Sequence, residues 1–268
     1  MDYGMPTLIE LDSLEETAEL CQDLGLQFIE LNMNLPSCQL EKLEETDILS
    51  ELKARYDIYF TIHLDENLNV CDFNKLVAKA YTDTVFRTIQ AAKKLSVPIL
   101  NLHMHPGVYF TLPDKKVYLF EKYSDSYRKA WQEFRKMCED AIGGENLRIC
   151  IENTDGYREF EKNAIDMLLE SPAFYLTWDI GHSHAADDID EPFLIERKQK
   201  LTHFHIHDGL GKKNHMTLGS GNIDLKQRLA IAEMYNCRCV VETKTVEALK
   251  QSADWLTENG YLRGCGKG

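Results

Sequence analysis

The 268-residue chain has no apolar run near the roughly 20 residues needed to cross a bilayer, so no membrane-spanning helix is expected. Its first residues, Met1-Asp2-Tyr3-Gly4-Met5-Pro6, carry neither the basic nor the apolar stretch of a secretory signal, and a cytoplasmic address is expected. Positive charge is scarce. Thirty Lys and Arg stand against 44 Asp and Glu, a formal net charge of −14. That surplus repels a phosphate backbone at long range, which disfavours bulk nucleic-acid binding and leaves only a local basic groove open. Paired cysteine motifs are missing as well. The eight cysteines (Cys21, Cys38, Cys71, Cys138, Cys150, Cys237, Cys239 and Cys265) are dispersed, and only Cys237 and Cys239 lie close together. Free thiols are expected rather than disulfides or a cysteine-held zinc. No Pro/Gly/Ser-rich linker interrupts the chain, which argues for one domain over residues 1–268.

What is present is a 44% hydrophobic complement, enough for a sizeable core, arranged as an alternation. Short β-branched or aromatic runs at Thr7–Leu11, Phe28–Met33, Ile58–Leu64, Ile99–His105, Arg148–Asn153, Tyr175–Asp179, Thr202–His207 and Arg238–Glu242 read as strands. Between them, Leu14–Leu24, Lys75–Leu95, Lys129–Ile142, Ala164–Glu170, Leu225–Tyr235 and Val246–Asn259 read as amphipathic helices, with weaker patterns over Leu43–Tyr56 and Pro192–Lys200. In the first helix Leu14, Ala18, Cys21 and Leu24 recur at helical spacing, with Asp12 or Ser13 as N-cap and Gly25 as stop. Strands alternating with helices make a parallel sheet covered by helices, and eight such units in about 250 residues predict an α/β fold, a single (β/α)8 TIM barrel. A doubly wound open sheet would carry G-x-G-x-x-G after its first strand, and that motif is absent.

All nine histidines (His63, His103, His105, His182, His184, His203, His205, His207 and His215) fall at predicted strand ends or in the loops after them, with none in a predicted helix. In a barrel that rim is the active-site face. Glu152, Asp179 and Glu242 also end strands, each preceded by an apolar residue (Ile151, Trp178, Val241) that faces the helices by the period-2 rule. The same rule puts His203, His205 and His207 on one side of their strand. Three acids and a histidine then converge at the barrel mouth, where closely spaced buried anions call for a cation, and a divalent metal supplies one.

His105-Pro106-Gly107, Ile151-Glu152-Asn153-Thr154, Asp179-Ile180-Gly181-His182, His205-Ile206-His207-Asp208 and Leu218-Gly219-Ser220-Gly221-Asn222-Ile223-Asp224 occur in this order on these strands. With them the chain resembles the xylose-isomerase-like barrel superfamily, which contains sugar isomerases and epimerases and the endonuclease IV type of DNA-repair enzyme. The resemblance implies that Glu152, Asp179, His205 and Glu242 hold the main metal. Three oxygens and one nitrogen suit Mn²⁺, Mg²⁺, Co²⁺ or Zn²⁺. It further implies that His63 and His105 match positions of an additional zinc in the endonuclease branch, bridged by Glu152. His182 and His215 match two ligands of a third zinc there, but the acid two residues before His215 is Lys213, whose ammonium cannot ligate. Glu30 resembles the second-strand acid of the sugar-isomerase branch.

Two enzyme classes and a non-catalytic metal- or ligand-binding barrel therefore stand side by side. An isomerase or epimerase needs one metal and two acid/base groups, with Glu152 and Glu242 moving a proton through an enediolate and His63 and His182 holding substrate hydroxyls, and it needs no organic cofactor. An endonuclease needs cationic loops against DNA. Asn32-Met33-Asn34-Leu35-Pro36 and Leu64-Asp65-Glu66-Asn67 carry no Lys or Arg, and the second adds two negative charges. The isomerase or epimerase reading, acting on a small sugar or sugar phosphate, is favoured. The loop His207–His215 holds Lys212 and Lys213 among Gly209 and Gly211, and it is expected to close over an anionic group such as a sugar phosphate. The sequence leaves the oligomeric state open, an oligomer included.

Overall fold

The computed structural model describes residues 1–263. Eight parallel strands close into a barrel: β1 (Asp2–Pro6), β2 (Phe28–Asn32), β3 (Tyr59–His63), β4 (Ile99–His103), β5 (Arg148–Glu152), β6 (Phe174–Asp179), β7 (Leu201–Ile206) and β8 (Arg238–Val241). Neighbours pair in sequence order and β8 closes on β1 through Tyr3↔Cys239, so the chain forms a (β/α)8 TIM barrel. No helix among the described residues is long and apolar enough to cross a membrane. Seven cysteines are free and buried, and Cys265 lies outside the described residues.

One strand lies elsewhere than the sequence predicts. The expected Thr7–Leu11 is loop, with Ile9 82% exposed, and the strand lies five residues earlier at Asp2–Pro6. Gly4 and Pro6 read locally as strand breakers, yet both are fitted to this place. A Cβ on Gly4 would lie 2.5 Å from the Phe28 ring, and Pro6 sits at the strand's last position. Long-range pairing with β2 and β8 overrides local propensity here.

The helices follow the apolar periodicity closely. Leu14–Asp23 is capped by Ser13, whose hydroxyl accepts from Glu16 N at 3.1 Å, and Lys75–Leu95 by Asn74. Two helices start earlier than expected, at Ser124 and Glu159, because their first turns are polar. The weaker patterns resolve into Leu40–Leu43 with Thr46–Tyr56, and Glu191–Glu196 with a 3-10 turn at Lys198–Lys200. Alternate strand residues face outward toward the helices, among them Trp178 and Phe204, whose ring centres lie 5.6 Å apart. The residues between them line the barrel, and there Glu30, Thr61, Asn101, Thr177 and His203 make a buried polar interior below the mouth. Two hairpins, Tyr109–Thr111 with Lys116–Tyr118 and Asp208–Leu210 with Lys213–Met216, rise from the loops after β4 and β7.

Candidate functional site

Strand register brings the acids together. Asp179 and Val240 both pair with His205 across β6, β7 and β8, and Glu152 ends β5 on the same inward face. One ligand atom from each of Glu152, Asp179, His205 and Glu242 lies within 4.8 Å of all the others. His205 Nδ1 stands 3.2 Å from Glu152 Oε1, 3.1 Å from Glu242 Oε2 and 3.9 Å from Asp179 Oδ2. Both ring nitrogens of His205 and Glu242 Oε2 are nonetheless buried without a hydrogen-bond partner. Against burial, the carboxylates of Glu152, Glu30 and Glu242 raise the His205 imidazole well above its ordinary range, and a metal ion taking the place of its Nδ1 proton would meet all four donors. The donor set therefore fits a hard or borderline divalent cation.

Electrostatics point the same way. Burial pushes the Glu152 carboxyl up, but His205, His103 and His182 outweigh it and hold the group well below the usual carboxylate range. Glu242 is held low against burial by His205, Lys244 and His215, and Asp179 by His182 and His207. Three ionised carboxylates in an almost water-free interior require cationic compensation. Protonated imidazoles share in it: burial lowers His182, yet Asp179 and Glu152 raise it to about 10, and Glu152 raises His63 to about 9.

The ligand side chains are braced from below. Asn153 accepts from Asp179 N at 2.9 Å and donates to Asp179 O and Ser183 Oγ, fixing the turn after β6. Asn101 donates to Glu152 Oε2 while accepting from Thr177 Oγ1 at 2.6 Å. Under His205, Glu30 is fully enclosed. Its Oε1 lies 2.8 Å from His205 Nε2, and its Oε2 accepts from His203 Nε2 at 2.8 Å and Thr61 Oγ1 at 3.0 Å. A carboxylate on the far nitrogen sets the tautomer and direction of a ligating imidazole.

Two further clusters flank the main one. His63 and His103 face Glu152, with Nε2 to Oε2 distances of 3.5 and 3.0 Å. The expected partner of His63 was His105. Because β4 ends at His103, His105 falls in the loop beyond, where its Nδ1 accepts from Gly107 N at 3.0 Å, and it joins no such cluster among the described residues. On the other side His182, His207 and His215 converge. His207 stands in this group, which Lys213 cannot complete, and Lys213 itself is exposed at the start of the hairpin's second strand. His182 and His184 lie in a six-residue helix, Ile180–Ala185, contrary to the expectation that no histidine is helical. Asp179 caps that helix by accepting from His182 N at 2.6 Å. Gly181 is obligatory there, since a Cβ would fall 1.9 Å from His207 Cε1.

A cleft of about 520 Å³ opens beside the cluster, lined by Thr154, Asp155, His182, Asp187, Lys212 and Asn214 among others. Lys212 is neutralised there by Asp187 Oδ2 at 2.8 Å and also donates to Ala185 O. Lys244, which the sequence reading passed over, pairs with Glu242 Oε1 at 2.8 Å. Its signal was available: it lies two residues past a strand-end acid, on the same rim.

Comparison with known proteins agrees with this fold. No curated protein sequence matches the chain. Among solved structures, a D-tagatose 3-epimerase-like protein superposes with a TM-score of 0.75 at 22% identity over 96% of each chain. A 3-keto-D-glucoside 4-epimerase from E. coli gives 0.75 at 14% identity, over 96% of this chain and 99% of its own. The zinc-bound IolI protein gives 0.72 at 15% identity, over 96% and 97%. The family model described as xylose isomerase-like TIM barrel matches residues 18–259, nearly the whole barrel, and the chain belongs to that family.

Proposed function

We propose that the chain is a divalent-metal-dependent isomerase or epimerase of a sugar or sugar phosphate, with Glu152, Asp179, His205 and Glu242 holding the ion. The observation that carries this reading is the convergence of three carboxylates and one imidazole nitrogen within 4.8 Å at the mouth of a barrel of this family. The epimerases among its structural neighbours support the class. Bound Mn²⁺, Zn²⁺, Co²⁺ or Mg²⁺ supplies polarisation of a substrate carbonyl and its neighbouring hydroxyl, which acidifies the C–H between them. Glu152 and Glu242 stand on β5 and at the end of β8, with two strands between them. One takes the proton and the other returns one to the opposite face of the enediolate. Asp179, tied at its backbone by Asn153, has no such freedom and serves as ligand. His182 and Lys212 face the cleft, where a sugar's hydroxyls or phosphate would lie.

The test is solvent-deuterium incorporation into keto-sugars and their phosphates by the metal-loaded enzyme. Glu242→Gln should keep measurable Mn²⁺ binding and lose roughly 10² to 10⁴ in exchange rate. Absence of exchange across the panel in metal-loaded wild type would overturn the mechanism.

A second reading has a specific observation behind it. The His63–His103–Glu152 and His182–His207–His215 clusters could hold further ions, as a zinc phosphodiesterase of the endonuclease IV type requires. Against it stands the acidic loop after β3, where Asn34 holds Glu66 at 3.2 Å, beside the chain's −14 charge. About one metal per chain supports the isomerase. Two or three metals together with nicking of an abasic duplex support the hydrolase.

A further inference from the structure

The alternation that carries Glu152 and Glu242 to the mouth carries Arg148 and Arg238 to the opposite end. Each arginine begins its strand four residues before the acid, so both point inward at the barrel floor. They line one polar depression of about 440 Å³ together with Asn146, Gln199, Tyr235 and Asn236. No carboxylate lines it, in a chain with 44 acidic residues.

Both guanidiniums are anchored at one nitrogen and keep donors in reserve. Arg148 Nη1 donates to Thr202 Oγ1 at 2.9 Å, and Arg238 Nε donates to the Tyr59 hydroxyl at 3.0 Å. Asp2 neighbours Arg238 in register, but its carboxylate accepts from Tyr59 at 2.7 Å, and neither arginine forms an ion pair among the described residues. Elsewhere Arg55, Arg87, Arg158 and Arg228 each reach a carboxylate. Lys200 is not part of this lining; its Nζ stands 4.8 Å from the centre of the Tyr175 ring, over which Arg148 sits at 4.3 Å, but it donates to Ser171 O and Phe174 O at 3.0 and 3.3 Å. Like charges gathered in a half-buried depression repel one another unless an anion joins them.

We propose that this floor depression is a binding site for a compact phosphate group, either inorganic phosphate or the phosphate of a small metabolite. Two guanidinium forks match a tetrahedral oxyanion bidentately, and the flanking amides add neutral donors. The volume leaves room for a small organic group beside the phosphate. The site lies at the end of the barrel opposite the mouth, so it is independent of the reaction proposed there.

Hydrogen–deuterium exchange of the wild-type chain tests this directly, with inorganic phosphate, ribose 5-phosphate or ribose added at ionic strength matched with chloride. Protection of segments 146–148, 199–202 and 235–238 is expected from phosphate or ribose 5-phosphate and not from ribose. Protection by phosphate itself identifies the free anion as sufficient, and protection by ribose 5-phosphate alone identifies a phosphorylated metabolite. Arg148→Gln and Arg238→Gln should each weaken that binding about tenfold or more, since each removes a charge-assisted contact. No floor protection by either anion, protection confined to the mouth, or unchanged affinity in folded variants would refute the assignment. The wild-type measurement decides even if a variant fails to fold.

Discussion

Glu30→Gln tests whether the metal centre is oriented from inside the barrel. Glu30 is 2% exposed, and its two oxygens face His205 Nε2, His203 Nε2 and the Thr61 hydroxyl. Glutamine keeps the volume but exchanges one acceptor for an amide donor. Whichever oxygen is replaced, an N–H then faces an N–H or O–H. An unsatisfied buried donor costs about 1–3 kcal/mol of stability. Losing the carboxylate behind a ligating imidazole weakens metal binding by roughly 10- to 100-fold, or about 1.4–2.8 kcal/mol. Calorimetric titration of Mn²⁺ into the full-length protein, with a thermal melt of the metal-free protein, separates the two effects. His203→Gln is the control. Its Nε2 contacts the same carboxylate, but it does not belong to the four-residue cluster, so stability should fall with much less change in Mn²⁺ affinity. If Glu30→Gln lowers the melting temperature and leaves Mn²⁺ affinity at the wild-type value, Glu30 is a structural hydrogen-bond acceptor and the reasoning fails.

Three further outcomes are expected. Gly181→Ala places a methyl 1.9 Å from His207 Cε1, so it should cost about 1–3 kcal/mol by chemical denaturation and disturb metal binding with it. In a Cys265→Ser background no thiol should react with a disulfide reagent in the native state, because the seven remaining cysteines are buried and burial raises thiols such as Cys21 and Cys237 to about 12. Rapid labelling under native conditions would contradict that. Lys212→Ala should raise KM for a phosphorylated substrate and leave the neutral sugar unaffected, and equal effects on both would remove Lys212 from substrate recognition.

The period-2 and 3.6-residue patterns made the barrel legible, because strands covered on both faces and helices covered on one leave strong periodic signals. The acids Glu152, Asp179 and Glu242 were legible for a related reason, since an acid closing an apolar strand in such a barrel has only the mouth to face. What failed locally depended on tertiary context. Gly4 and Pro6 looked like breakers until Phe28 and β8 supplied their environment. His105 was chosen over His103 because the strand was read two residues too long, and at a barrel mouth two residues carry a side chain out of reach. The part Glu30 plays was beyond periodicity, because its partners His203 and His205 lie 173 and 175 positions away in the chain.

The geometry of the site is set mainly by this interior and much less by the loops. Thr177 holds Asn101, Asn101 holds Glu152, Asn153 holds the turn at Asp179, and the Glu30 carboxylate faces His205 as an ion pair, all within buried strands or at their ends. Such buried networks have few alternative arrangements, because each lost bond leaves an unpaired polar group. The cleft is different, being built from Thr154, Asp187, Lys212 and Asn214 on the connecting segments. Substitutions there can change which substrate is held without moving the four donors. Substitutions at Asn101, Asn153 or Glu30 should shift the donors while leaving the cleft's polarity intact. Metal affinity and substrate preference are therefore separable by position. Asn153→Ala should weaken Mn²⁺ binding and keep the order of preference among sugars, whereas Asn214→Ala should reorder the sugars at wild-type Mn²⁺ affinity. The opposite pairing in calorimetry and competition assays would show that the loops, and not the strands, orient the centre.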